Sequence, residues 1–126
     1  MPDIVMHHYF GRNVYASLDQ QIVTKINNQS LYDFATAGPD PFFFVAFANK
    51  KKNIVSREFG NYMHNNNTKG FFIKLIELTK HNHDLFSYLC GFVCHYYLDV
   101  YAHPYVFYYT GKFHEDNPDT FEYRGL

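Results

Sequence analysis

The chain has 126 residues, the length of one domain able to bury roughly two thirds of the surface its unfolded form exposes. Apolar residues make up 47% and aromatics 21%, with 14 Phe and 12 Tyr but no Trp, so an ordered core built on large rings is expected and disorder is excluded. Eleven basic against twelve acidic residues supply no broad positive field, and nucleic acid is not expected as a partner.

In chain order, residues 1–10 carry neither a cationic start nor an uninterrupted apolar run, so no secretion signal is read and the expected location is the cytoplasm. Val14, Leu18, Ile22 and Ile26 recur every four residues with polar residues between, which predicts an amphipathic helix ending near Asn27 and Asn28. A short helical turn is expected over Leu31 to Ala37. In Gly38-Pro39-Asp40-Pro41 the two prolines impose extended or turn geometry and set Asp40 on a stiff loop. Lys50 to Asn53 reads as a solvated loop, with transient contact to an anionic membrane surface as the alternative use. Ile54 to His64 is expected to be partly helical. Asn65 to Thr68 supplies a turn and an N-cap for a helix running to about Lys80.

Asp84 is placed to cap a central helix through Leu85, Leu89, Phe92, Tyr96 and Val100, ending within a residue or two of Pro104. Its apolar run, Leu85 to Leu98, falls short of the ~20 residues of a membrane span and reads as a buried core helix. Cys90 and Cys94, four apart, are expected to be reduced core thiols. Phe42 to Phe44 and Tyr105 to Tyr109 read as core rings, with a substrate-pocket lining as their functional alternative. Turns are expected at Thr110-Gly111 and Asn117-Pro118-Asp119. No repeat and no strong period-two segment is present, so the predicted class is all-α, one domain over residues 1–126.

His95, Asp99 and His103 stand at i, i+4 and i+8, along one stripe of that central helix with only ~40° of drift per step. On an otherwise apolar helix an unpaired carboxylate would cost several kcal/mol or take up a proton. A divalent metal removes the difficulty. Zinc accepts imidazole nitrogen and carboxylate oxygen, usually four donors in all, so the stripe calls for further ligands, and Asp40, His64, His7 and His8 are the candidates.

Met1 to Ile4, His7-His8-Tyr9-Phe10-Gly11, the Gly38 to Phe43 loop, Gly60 to His64, and Gly91 to Asp99 continuing through Ala102-His103-Pro104-Tyr105 together resemble the zinc-dependent phospholipase C family. The resemblance covers most of the chain and joins a Gly-Pro-Asp loop, a Met-His pair and a His-x-x-x-Asp-x-x-x-His helix in one order. It implies an all-α fold around up to three zinc ions and hydrolysis of phospholipid phosphodiesters by a metal-activated water, with Asp40 and Asp99 in catalytic roles. It further implies that Asp40, His64, His95 and Asp99 surround one zinc. Asp99 would also reach a second zinc held by the N-terminal histidine, either His7 or His8, with His7 preferred on its spacing to Gly11. His103 would begin a third site, at a shorter spacing from Asp99 than in some secreted members. A downstream His-x-x-x-Glu pair completes that third site in the family, and this sequence stops about where the pair would begin, so one or two zincs are expected here. His114-Glu115 is the local substitute.

Other readings make different predictions. An HD-type phosphohydrolase would use His83-Asp84 and leave the His95 to His103 stripe idle. A nuclease on the same scaffold would cleave single-stranded DNA. A zinc-stabilised, non-catalytic or membrane-associated interaction module would bind metal without turnover.

Overall fold

Six helices and one 3-10 turn, with no strand, make up the described residues, 3–44 and 50–110 of the computed structural model. The class is all-α, as the sequence predicts. Helix α1 (Ile4–Ser17) opens where the Asp3 carboxylate accepts the Met6 amide at 2.9 Å, a side-chain N-cap. The helix predicted over Val14 to Ile26 is not continuous. Leu18 is extended, and Asp19 accepts the Gln21 amide to start a separate short helix, α2 (Gln20–Val23). The four-residue apolar period survives the break because Val14, Leu18 and Ile22 still face one apolar hollow. The period recorded burial, while the side-chain acceptor of Asp19 set the boundary.

Helix α3 (Gln29–Ala35) is capped by Asn28. Beyond it, Asp40–Phe43 forms a 3-10 turn where the sequence reading expected an irregular loop. Proline's fixed φ suits the start of a helical turn, so the two prolines stiffen this element without unwinding it. Helix α4 (Lys50–Asn65) begins at the lysines that were expected to form a loop. Helix α5 (Thr68–Thr79) follows Asn67, which sits in the left-handed region at φ 46° and accepts the Gly70 amide.

Helix α6 (His83–Thr110) is the axis of the fold. Its start is capped by Asn82, whose side chain accepts the Asp84 amide at 3.0 Å, and not by Asp84 itself. It also runs on past Pro104, where it was expected to stop. A proline removes one helical hydrogen bond, while ring contacts at i, i+4 span the site, with His103 and Phe107 at 5.5 Å and Tyr105 and Tyr109 at 4.9 Å between centroids.

Helices α1, α3 and α5 pack against α6. The α3 crossing is the closest, since a Cβ on Gly91 would enter the Tyr32 carbonyl oxygen and the Ala35 side chain. Tyr32, fully buried, donates its hydroxyl proton to the Gly11 carbonyl at 2.8 Å and takes the Cys94 thiol at 3.3 Å. Burial pushes the Cys90 thiol up to about 11 and raises that of Cys94 too, which disfavours the thiolate at both, and neither forms a disulfide. Ser87, which interrupts the apolar run, accepts the Asn28 amide and donates to the Asn27 side chain, tying α6 to the start of α3. Phe71 and Phe72 of α5 pack on Phe92.

Burial along α6 is confined to its first half. Tyr97, Tyr101, Tyr105 and Tyr108 are exposed, Tyr108 at 82%. The rings of Tyr105, Tyr108 and Tyr109 therefore do not lie in the core where the sequence reading put them. Among the described residues no helix is long and apolar enough to cross a membrane.

Candidate metal centre

Four elements converge on one point beside α6. The second turn of α1 brings His7, the 3-10 turn opens on Asp40, the last turn of α4 carries His64, and α6 presents His95, Asp99 and His103. His7 is 1% exposed, His95 3% and Asp40 4%. The four histidines all turn Nε2 toward the two carboxylates. His95 Nε2 lies 3.2 Å from Asp99 Oδ2, and His64 Nε2 lies 3.6 Å from that oxygen and 3.2 Å from Asp40 Oδ1. His103 Nε2 and His7 Nε2 lie 3.2 and 3.3 Å from Asp99 Oδ1, and His7 Nε2 lies 3.7 Å from Asp40 Oδ2. The His7 and His95 rings stack at 4.0 Å and 26°.

These residues fit zinc on two grounds. The Nε2 atoms of His7, His64, His95 and His103, together with Asp99 Oδ1, are buried without a hydrogen-bond partner, whereas buried polar groups are ordinarily paired. Donors spaced 3.2 to 3.7 Å apart also match the edge of a tetrahedron with bonds of about 2.0–2.1 Å, which is about 3.3 Å. His7, His95 and Asp99 form one set of mutually close donors, and Asp40, His64 and His95 another.

The surroundings set the orientation and the charge of the side chains. His64 Nδ1–H donates to the Gly60 carbonyl at 2.8 Å, one turn back on α4, which leaves the Nε2 lone pair facing Asp40. Burial opposes charge on His64, but the Asp40 carboxylate and the Gly60 carbonyl outweigh it and raise its pKa. For His103 burial prevails over the attraction of Asp99, and its pKa is lowered. Burial would raise the Asp99 carboxyl, yet the imidazoles of His7, His95 and His103 hold it well below the usual carboxylate range. An ionised Asp99 is the form a cation takes.

His8 is exposed on α1 and stands outside the cluster, so of the two adjacent candidates His7 alone reaches it. His83 and Asp84 are exposed at the start of α6, about 18 Å along its axis from His95, and among the described residues they join no metal-binding group. His114 and Glu115 lie outside the described residues. Sequence reasoning missed two supports of the cluster. One is Gly60, at i−4 from His64. The other is Gly38, whose φ of +54° lets the backbone lie against the His95 ring where a Cβ would collide. It also missed a cavity of about 360 Å³ beside the cluster, walled by Met63, Phe92, Tyr96 and Val100 and open to His64, Asp99 and His103. The i, i+4 placement of Gly60 and the Gly-Pro-Asp run were the available signals.

A family model described as zinc dependent phospholipase C matches residues 6–124. No curated protein and no solved structure matches the chain.

Proposed function

Because the chain belongs to the zinc-dependent phospholipase C family, we propose that it is a hydrolase cleaving phosphodiester bonds, phospholipids being the favoured substrates. Its centre would be His7, Asp40, His64, His95, Asp99 and His103 loaded with zinc. The observation that carries this reading is the convergence of four unpartnered imidazole nitrogens on two carboxylates, the buried Asp40 and the partly buried Asp99, at tetrahedral-edge spacing. Zinc held there supplies Lewis acidity toward a phosphoryl oxygen and brings the pKa of a bound water toward neutrality.

The chain's own residues do the positioning. Asp99 presents both oxygens to histidines and joins the stripe of α6 to His7 and His64. Asp40 also presents both oxygens to histidines, which favours a ligand's role over that of a free general base. The Gly60 carbonyl orients His64, and Gly38 seats His95. Met63, Phe92, Tyr96 and Val100 give one wall of the neighbouring cavity an apolar lining suited to the glycerol and acyl side of a lipid. Contact with a membrane surface would then accompany turnover.

The test is release of phosphorylated headgroup from phospholipid vesicles by zinc-replete protein, with Asp99→Asn alongside. Wild type should turn over and the variant should lose more than about 100-fold, since even loss of an outer-sphere support commonly costs 10–100-fold. Zinc binding with no hydrolysis of any phosphodiester would instead support a zinc-stabilised module, and cleavage of single-stranded DNA in preference to lipid would support a nuclease.

A further inference from the structure

The second half of α6 presents a face that the other described elements leave open. Tyr97, Tyr101, Tyr105 and Tyr108 are 51% to 82% exposed, and at 100° per residue they fall with Val93 inside an arc of about 120°. Tyr97 and Tyr101 stack at 6.3 Å between centroids and 15°. Each stands two residues from Asp99, about 160° round the helix, so the face turns away from the metal cluster. Toward the start of α6 the same face runs into a hollow of about 360 Å³ between α1 and α5, walled by Val14, Leu18, Phe72, Ile76 and Val93. The one hydroxyl there, on Tyr32, is taken up by the Gly11 carbonyl and the Cys94 thiol. From Val100 to Thr110 there is no Asp, Glu, Lys or Arg.

Four tyrosines exposed to this extent, at about 150–250 Å² for a whole ring, leave roughly 400–700 Å² of aromatic surface. The largest patch on an ordinary monomer is about 300–600 Å². With the hollow added, the face approaches the about 800 Å² that each partner of a standard interface buries.

We propose that this face docks against a second copy of the chain, the two α6 helices lying antiparallel about a two-fold axis near Tyr101. The spacing of knob and hole selects that occupant. Val93 and Tyr108 lie about 22 Å apart along the helix, and the midpoint falls between Val100 and Tyr101. An axis there sets the protruding Tyr108 of each copy over the hollow beside Val93 of the other, the self-complementarity that a two-fold interface requires. Charge agrees with this choice. Two uncharged faces meet without repulsion, whereas a strongly basic or acidic partner finds nothing here to pair with. A phospholipid surface seated on this face would leave the metal cluster on the far side of α6, away from the lipid.

The test is the mass of the 126-residue protein by sedimentation velocity across the micromolar range. Wild type is compared with Tyr101→Lys, Tyr108→Lys and, on α4, Tyr62→Lys, with helix content checked by circular dichroism. In wild type and Tyr62→Lys the mass should rise with concentration toward twice the 14.9 kDa of one chain. In Tyr101→Lys two like charges would meet across the axis, and Kd should rise at least ~100-fold. Tyr108→Lys should weaken the dimer too, because it drives an ammonium toward an apolar hollow. A wild type that stays monomeric would overturn the proposal, as would a dimer as tight as wild type in either folded variant. In the monomeric case, binding to phosphatidylcholine vesicles that Tyr101→Lys loses would give the face to lipid, and no binding would leave it to the chain's own residues 111–126. Tyr101 and Tyr108 are 72% and 82% exposed, so both substitutions should spare the fold; if Tyr101→Lys loses its helices, Tyr108→Lys decides alone. None of these outcomes bears on the zinc-hydrolase reading.

Discussion

Gly38 shows how little room the centre leaves its ligands. Its backbone is left-handed and its missing side chain is the space occupied by His95. Gly38→Ala would carry about 1–2 kcal/mol of backbone strain and displace that imidazole. We expect zinc affinity to fall about 10–100-fold, the usual cost of losing a support for a metal ligand, with helix content retained. Competition against a chromophoric chelator measures this, and unchanged affinity would show that His95 does not bind metal. At this scale the α6 stripe was legible because helical periodicity alone aligns His95, Asp99 and His103. The choice between His7 and His8 was not legible. Adjacent residues point about 100° apart on a helix, and the choice needed the orientation of α1, which packing against α6 fixes. The meeting of Asp40 with His64 is likewise a product of tertiary packing that no local pattern encodes.

Among the elements, the crossing of α3 on α6 leads the chain into the 3-10 turn that carries Asp40. Gly91 permits that crossing, and Gly91→Ala would drive a methyl into the Tyr32 carbonyl. The expected cost is that of overpacking, about 1–3 kcal/mol, read as a lower urea midpoint, together with weaker zinc binding as Asp40 is pushed out. A variant as stable as wild type would mean that α3 can retreat without loss. The elements themselves were legible where apolar spacing and a cap agreed, as in α5. They were misread where a single polar side chain or a proline decided the boundary. Asp19 divides α1 from α2 by capping, and Pro104 is accommodated inside α6. The lysines from Lys50 looked like a loop because charge was taken for irregularity, although lysine is a good helix former.

For the molecule as a whole, zinc held at the cluster would link stability to metal. Removing zinc leaves the imidazoles of His7, His64, His95 and His103 facing two carboxylates without the ion that would satisfy them. Ligand that binds only the folded chain stabilises it by about 2.7 kcal/mol at a hundredfold excess over Kd. Chelation should therefore lower the melting temperature by on the order of 10 °C, recovered on adding zinc, whereas a melting curve indifferent to chelator would dissociate fold from metal. Most of the described sequence lies between His7 and Asp99, and Asp99 sits on α6, the last of the described helices. A chain still emerging from the ribosome would carry His7, Asp40 and His64 with nothing to gather them. The cluster is in this sense a timekeeper: it can be completed only after α6 has docked, so an immature chain has no finished set of metal-binding side chains.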